Sequence, residues 1–207
     1  MQMPDPSLVT GLFGGTFDPP HLGHVRLAQQ LLTRGDVAQV VFLPAAQPPH
    51  KRHRRITAAA DRLAMLALAV AEIPGCFVSD LELQRPGPSY TIDTVQTFAE
   101  TFGPRLRLVL GMDSLRDLHL WHRSAELVAA CSLLIYRRPG CAVPELATLT
   151  RQFGPEAAAR LAGAIVDGPE TDLSSTAIRA RIRAGQSADD LLPPPVWRYI
   201  QMHHLYT

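Results

Sequence analysis

The chain has 207 residues, 46% of them hydrophobic and 19% charged, with a formal net charge of +1 at pH 7. Such a chain is long enough for one sizeable core, and its near-neutral balance excludes the global basic field of a nucleic-acid binder. The three cysteines lack metal-ligand spacing, the start (MQMPDPSLVTG) lacks a basic-then-apolar signal pattern, and the longest apolar run, Leu63 to Val70, is too short to span a membrane.

In chain order, Leu8 to Phe13 reads as a short buried strand ending in Gly14-Gly15. A helix is predicted from about His24, with Val25, Leu27, Ala28, Leu31 and Leu32 at helical spacing, and Gly35-Asp36 stops it. Val37 to Leu43 is a continuous apolar run of the kind that fills parallel sheets. Pro44 to Arg55 is an irregular loop, locally basic from His50 onward. Thr57 looks like the N-cap of a helix carrying Leu63, Leu66, Leu68 and Val70. Phe77 to Leu81 is a third strand, Gln84 to Ser89 a loop, and Thr91 to Phe102 a helix. Leu106 to Leu110 is a fourth strand; after Gly111-Met112-Asp113-Ser114 come a short helix, Trp121, and a helix from Ser124 to Ala130. Ser132 to Tyr136 is a fifth strand, Leu146 to Leu161 a helix split by Gly154-Pro155, and Ala164 to Val166 a sixth strand. A serine-capped helix starts near Ser174, and Asp189 to Leu205 reads as helix, three prolines, helix.

Strands alternating with helices predict an α/β fold, a Rossmann-like, doubly wound parallel sheet with helices on both faces. One domain over 1–207 is expected, with a small C-terminal helical part at about 173–207. Ligands of such folds bind outside the carboxyl ends of the strands. The unusual residues fall there: Gly14-Gly15-Thr16, Pro44 to Lys51, Gly111-Met112-Asp113 and Arg137-Arg138. Cys76 and Cys131 lie in apolar contexts, which predicts buried thiols and fits a reducing compartment; with neither a signal pattern nor a spanning run, a cytoplasmic protein is expected.

The first loop carries the densest chemistry. Gly14 and Gly15 let the backbone approach a ligand and offer N–H groups to oxyanions. His21 and His24, at i and i+3, would share one face of a helix start, with Gly23 leaving room beside them for a bulky phosphate. Two imidazoles at a helix N-terminus suit a polyanion, each charged hydrogen bond contributing roughly 1.5–3 kcal/mol. Zinc is disfavoured: no cysteine is near, and Asp18 would be an unusual third ligand. The run is neither a dinucleotide fingerprint nor a Walker loop. Asp18, Pro19 and Pro20 most simply shape the turn.

GGTFDPPHLGH, from Gly14 to His24, resembles the signature of the nucleotidyltransferase superfamily, whose H-x-G-H recurs more loosely in class I aminoacyl-tRNA synthetases. Nearly end to end, the chain is similar to the bacterial nicotinate-nucleotide adenylyltransferases. Supporting blocks are PPHK at Pro48 to Lys51, PSYT at Pro88 to Thr91, GMDS at Gly111 to Ser114 with Trp121, RRPG at Arg137 to Gly140, and SSTAIR at Ser174 to Arg179. Ala45-Ala46 stand where Asn or other residues are frequent in that family.

The resemblance implies adenylyl transfer from ATP to nicotinate mononucleotide, by direct in-line attack without a covalent enzyme intermediate. It assigns His21, His24 and Arg179 to catalysis, with Mg²⁺ accompanying ATP and no metal held by the protein alone. ATP would meet Gly14, Gly15, Thr16, Phe17 and Gly23, the adenosine Gly111, Asp113 and Arg138, and the β/γ end Ser174, Ser175 and Thr176. N-capping is a competing reading for Asp113 and for the serines. The mononucleotide would meet Lys51, Ser89, Tyr90, Thr91 and Trp121. No nucleic acid or membrane partner is expected, and the chain would act as a monomer or homodimer. Nicotinamide mononucleotide or phosphopantetheine as acceptor, or a non-catalytic nucleotide sensor, are the alternatives.

Overall fold

The computed structural model describes residues 4–46, 56–137, 140–169 and 173–207. Among the described residues six strands form one sheet: β1 (Thr10–Gly15), β2 (Gln39–Pro44), β3 (Cys76–Val78), β4 (Leu106–Gly111), β5 (Ser132–Arg137) and β6 (Ile165–Asp167). Their order is β3-β2-β1-β4-β5-β6, and every neighbouring pair is parallel. That is the doubly wound arrangement, whose order reverses direction between β1 and β4. The helices are α1 (Leu22–Thr33), α2 (Ala59–Val70), α3 (Leu81–Gln84), α4 (Thr91–Phe102), α5 (Met112–Asp117), α6 (Ser124–Ala130), α7 (Leu146–Phe153), α8 (Pro155–Gly163), α9 (Ser175–Arg183) and α10 (Pro194–Met202). Among the described residues no helix is long and apolar enough to cross a membrane.

The period-2 alternation of strands divides the core. Phe13, Val40, Phe42, Val78 and Val109 face α1, α2, α9 and α10, where Leu27, Leu31, Leu66, Ile178 and Ile200 meet them. Leu12, Val41, Leu43, Leu108 and Ile135 face the other way, onto Ile92 and Val95 of α4, Leu115 of α5 and Leu127 of α6. Both faces are covered, so the strands can be apolar throughout, which is why β2 is buried at all six positions.

Several boundaries differ from the sequence reading. The N-cap of α2 is Ala58 rather than Thr57, whose carbonyl instead accepts a bond from Arg62 Nε at 3.0 Å. The buried face of α2 is Arg62, Met65, Leu66, Ala69 and Val70, and Leu68 points outward at 38% exposure. The third strand ends at Val78, and Leu81 opens the single turn α3. No helix forms at Asp189: Ser187 Oγ donates to its carboxylate at 2.6 Å, a local bond that competes with helix, and Pro193 follows closely. Cys76 and Cys131 are partly buried, and burial pushes their thiols up to about 12 and about 11.

Candidate active site

Where β1 and β4 part, their carboxyl ends open on a cavity of about 610 Å³. That is within the size range of small-molecule sites, roughly 300–1,000 Å³. One wall is the loop after β1. A Cβ on Gly14 would meet nothing within 4 Å, whereas one on Gly15 would come within 2.9 Å of the Phe17 ring. Phe17 has φ +49°, a left-handed conformation that costs a side-chain-bearing residue roughly 1–2 kcal/mol. Packing holds it there: its ring, 2% exposed, meets Phe13 edge-on at 5.6 Å and His24 at 4.9 Å.

His21 is the N-cap of α1 and His24 its third residue, and the two imidazoles stack with centroids 3.7 Å apart. His24 Nδ1 accepts the backbone N–H of His21 at 3.1 Å. In the neutral ring the proton therefore belongs on Nε2, leaving that atom a donor. His24 lines the cavity, and His21, 3% exposed, lies behind it. A Cβ on Gly23 would come within 3.0 Å of the His21 ring, so the glycine also makes room for that imidazole.

The opposite wall holds Ser89, Tyr90, Thr91 and Trp121. Tyr90 is the N-cap of α4, and its own side chain makes no capping hydrogen bond. Its ring lies 4.2 Å from that of His122, the neighbour of Trp121. Ser89 Oγ accepts the N–H of Ala46 at 3.0 Å, tying this wall to the end of β2. Beneath it is Glu82, 8% exposed, which accepts from Thr94 Oγ1 at 2.9 Å. Burial pushes its carboxyl above the usual range, against smaller downward pulls from its bonds to Thr94 and Ser89 and from the Arg85 charge.

On the β4 side Gly111, not Asp113, is the N-cap of α5, so the capping reading of Asp113 does not hold. Asp113 sits in that first turn, exposed at the cavity, with Cys141 Sγ 3.8 Å from its Oδ1. The serine block lies behind the first loop instead of along the cavity wall. Ser174 does cap α9, accepting from Ala177 N at 3.2 Å. Ser175 Oγ donates to Pro19 O at 2.9 Å, and Arg179 Nη1 donates to Asp18 O at 2.7 Å, with Thr176 Oγ1 3.4 Å from Nη2. Lys51, the PPHK block and Arg138 lie outside the described residues.

Sequence reasoning missed Glu82, His122 and Tyr136 in the cavity wall, and the buried Arg62 behind it. Arg62 had a signal: it falls at helical spacing from Leu66, Ala69 and Val70, on the apolar face of α2. Nothing local marks the other three.

A parallel sheet whose switch point opens on such a cavity, with an H-x-G-H at the first helix start, is the architecture of a cytidylyltransferase-like protein. Residues 12–181 match the family model described as Cytidylyltransferase-like. A relative from Synechococcus sp. (strain JA-3-3Ab), named "Probable nicotinate-nucleotide adenylyltransferase", is 39% identical, the match covering 100% of this chain and 99% of its own. One of the same name from Yersinia enterocolitica is 42% identical, with 94% of each chain covered. The chain belongs to the nicotinate-nucleotide adenylyltransferase family. The solved Plasmodium falciparum nicotinic acid mononucleotide adenylyltransferase complexed with NaAD has the same fold, with a TM-score of 0.76 at 17% identity over 95% of this chain and 96% of that one.

Proposed function

We propose that this cavity transfers the adenylyl group of ATP to nicotinate mononucleotide, giving deamido-NAD and pyrophosphate. One observation carries the reading: a single cavity has the His24 donor and open Gly14 on one wall, and the start of α4 with Trp121 on the other. The full-length relatives bearing the name of this activity support it.

The mononucleotide phosphate is already ionised at neutral pH, so its oxygen attacks the α-phosphorus without a base. A bond forms from that oxygen to phosphorus, the bond from phosphorus to the bridging oxygen breaks, and pyrophosphate leaves. Catalysis then reduces to positioning and charge stabilisation. His24 donates from Nε2 to an α-phosphate oxygen, and His21 stacked on it fixes the ring. Gly15, Thr16 and Phe17 supply backbone N–H groups. Ser175 and Arg179 hold the loop from behind, the helix start they share with Ser174 and Thr176 serves the β/γ end, and Lys51 contacts phosphate. Gly111, Asp113 and Arg138 take the adenosine, with ribose hydroxyls donating to the carboxylate.

The nicotinate carboxylate accepts from the Thr91 N–H at the start of α4, while Ser89 and Tyr90 shape that wall. The cationic pyridinium stacks on Trp121, contributing roughly 1–3 kcal/mol. Among the described residues no group of three or more His, Cys, Asp or Glu side chains could hold a metal ion. Mg²⁺ would enter on the triphosphate oxygens and water, supplying charge neutralisation. Pyrophosphate release from ATP and Mg²⁺ with the acid or the amide mononucleotide tests the reading. The acid is expected to be used at least about tenfold better, the size of one charge-assisted hydrogen bond. Equal use assigns the amide a place among the substrates, and tight ATP binding without turnover makes the protein a sensor.

A further inference from the structure

The loop from Thr16 to Pro20 lies between β1 and α1 and cannot be held by ladder bonds. Side chains from distant segments hold it instead. Arg62 of α2, 1% exposed, donates Nη1 to Thr16 O at 2.8 Å. Arg179 of α9 donates to Asp18 O, and its Nη1 lies 3.9 Å from Asp18 Oδ2. Tyr206, beyond α10, donates its hydroxyl to Asp18 Oδ1 at 2.8 Å. The Asp18 carboxylate, 4% exposed, is the centre of this cluster. A buried carboxylate needs such partners, and Arg62 and Arg179 both face it with positive charge.

We propose that Tyr206 and Arg62 are positioning residues for ATP, fixing the phosphate-facing loop from outside the cavity through Asp18 and Thr16. The inference rests on the reading above that this loop binds the ATP phosphates. Neither residue lines the cavity, so Arg62 acts through the Thr16 carbonyl and Tyr206 through the Asp18 carboxylate. In a trans peptide the carbonyl and the following N–H point in opposite directions. The hold of Arg62 on Thr16 O therefore sets the direction of the Phe17 N–H, one of the donors assigned to phosphate.

Both ends of the connection carry the mark of an over-determined structure. Phe17 has φ +49° and Tyr206 φ +67°, left-handed conformations that non-glycine residues keep only where surrounding contacts enforce them. Burial pushes the Tyr206 phenol well above its ordinary range, so its hydroxyl keeps the proton it donates. Tyr206 and Leu205 also pack on the core beside α2 and α10, which gives the hydroxyl a rigid base.

The test is calorimetric titration of ATP into the full chain, wild type against Tyr206→Phe and Arg62→Lys, with mononucleotide affinity and Tm measured in parallel. Tyr206→Phe removes one buried donor and is expected to weaken ATP binding about 3–10-fold, with mononucleotide affinity unchanged within about twofold. Arg62→Lys keeps the charge but loses the forked hold, and is expected to weaken ATP binding at least as much. An ATP affinity that is unchanged in the folded protein, with only Tm lowered, overturns the inference. So does an equal loss for both substrates. If Arg62→Lys does not fold, Tyr206→Phe alone decides. A wild-type protein that binds ATP but not the mononucleotide sinks the proposed reaction without touching this inference.

Discussion

His24 and Glu82 occupy opposite walls of the cavity and are exposed to opposite kinds of chemistry. His24, with Nδ1 satisfied by the His21 N–H, is a preorganised donor at Nε2. His24→Ala is expected to lower turnover about 10²–10³-fold in the pyrophosphate assay, with the fold unchanged by circular dichroism. Glu82 binds its proton more tightly in the folded chain than the unfolded chain does, because burial penalises the anion. Its contribution to stability is thus fully present below the unfolded carboxylate range, near about 4.3, and falls as pH rises toward the raised folded value. Glu82→Gln should flatten that part of the stability-against-pH curve measured by denaturant titration. An identical slope in both proteins would place Glu82 outside the titration. The histidine pair was legible because both ligating groups sit at i and i+3 in one short run. Glu82 was not, because only the approach of α3, α4 and the Ser89 loop buries it.

Elements behave here as supports for two loops. At the start of α1, residue 23 has no side chain to press on the His21 ring, which a Cβ would approach to 3.0 Å. Gly23→Ala should displace that ring and, through the stack, His24. Turnover should fall by up to about 10²-fold, the penalty of a misplacement near 1 Å, while Tm changes little. A large Tm loss with normal turnover would make Gly23 a folding residue. α4 at Thr91–Phe102, a long element with strong periodicity, was read to the residue, and so was the shorter α6 at Ser124–Ala130. Two other segments were not. β3 has three residues at the sheet edge, and the segment at Asp189 was decided by a serine side chain, neither of which leaves a periodic trace. α9 shows a subtler gap: its serine cap was visible, but the attachment of Ser175 and Arg179 to Pro19 and Asp18 spans about three-quarters of the chain.

For the molecule as a whole, the alternation of strands and helices determined the sheet, and the sheet determined where the cavity lies. Leu12, 1% exposed in the central strand, packs on the α4 side and is not among the residues lining the cavity. Leu12→Ala should cost about 3 kcal/mol, or about 6–12 °C in Tm, with substrate affinities of the folded fraction preserved. Altered affinity at unchanged Tm would mean that the core transmits to the cavity. The Tyr206–Asp18 bond joins residues 188 positions apart, and this separation gives the protein a schedule. A growing chain can complete its six strands once Asp167 has emerged, but the loop waits for Tyr206, about 2–8 s later at ordinary elongation rates. On the ribosome, the strands are therefore made before α9 and α10, which cover one face of the sheet, and before this last clasp on the loop.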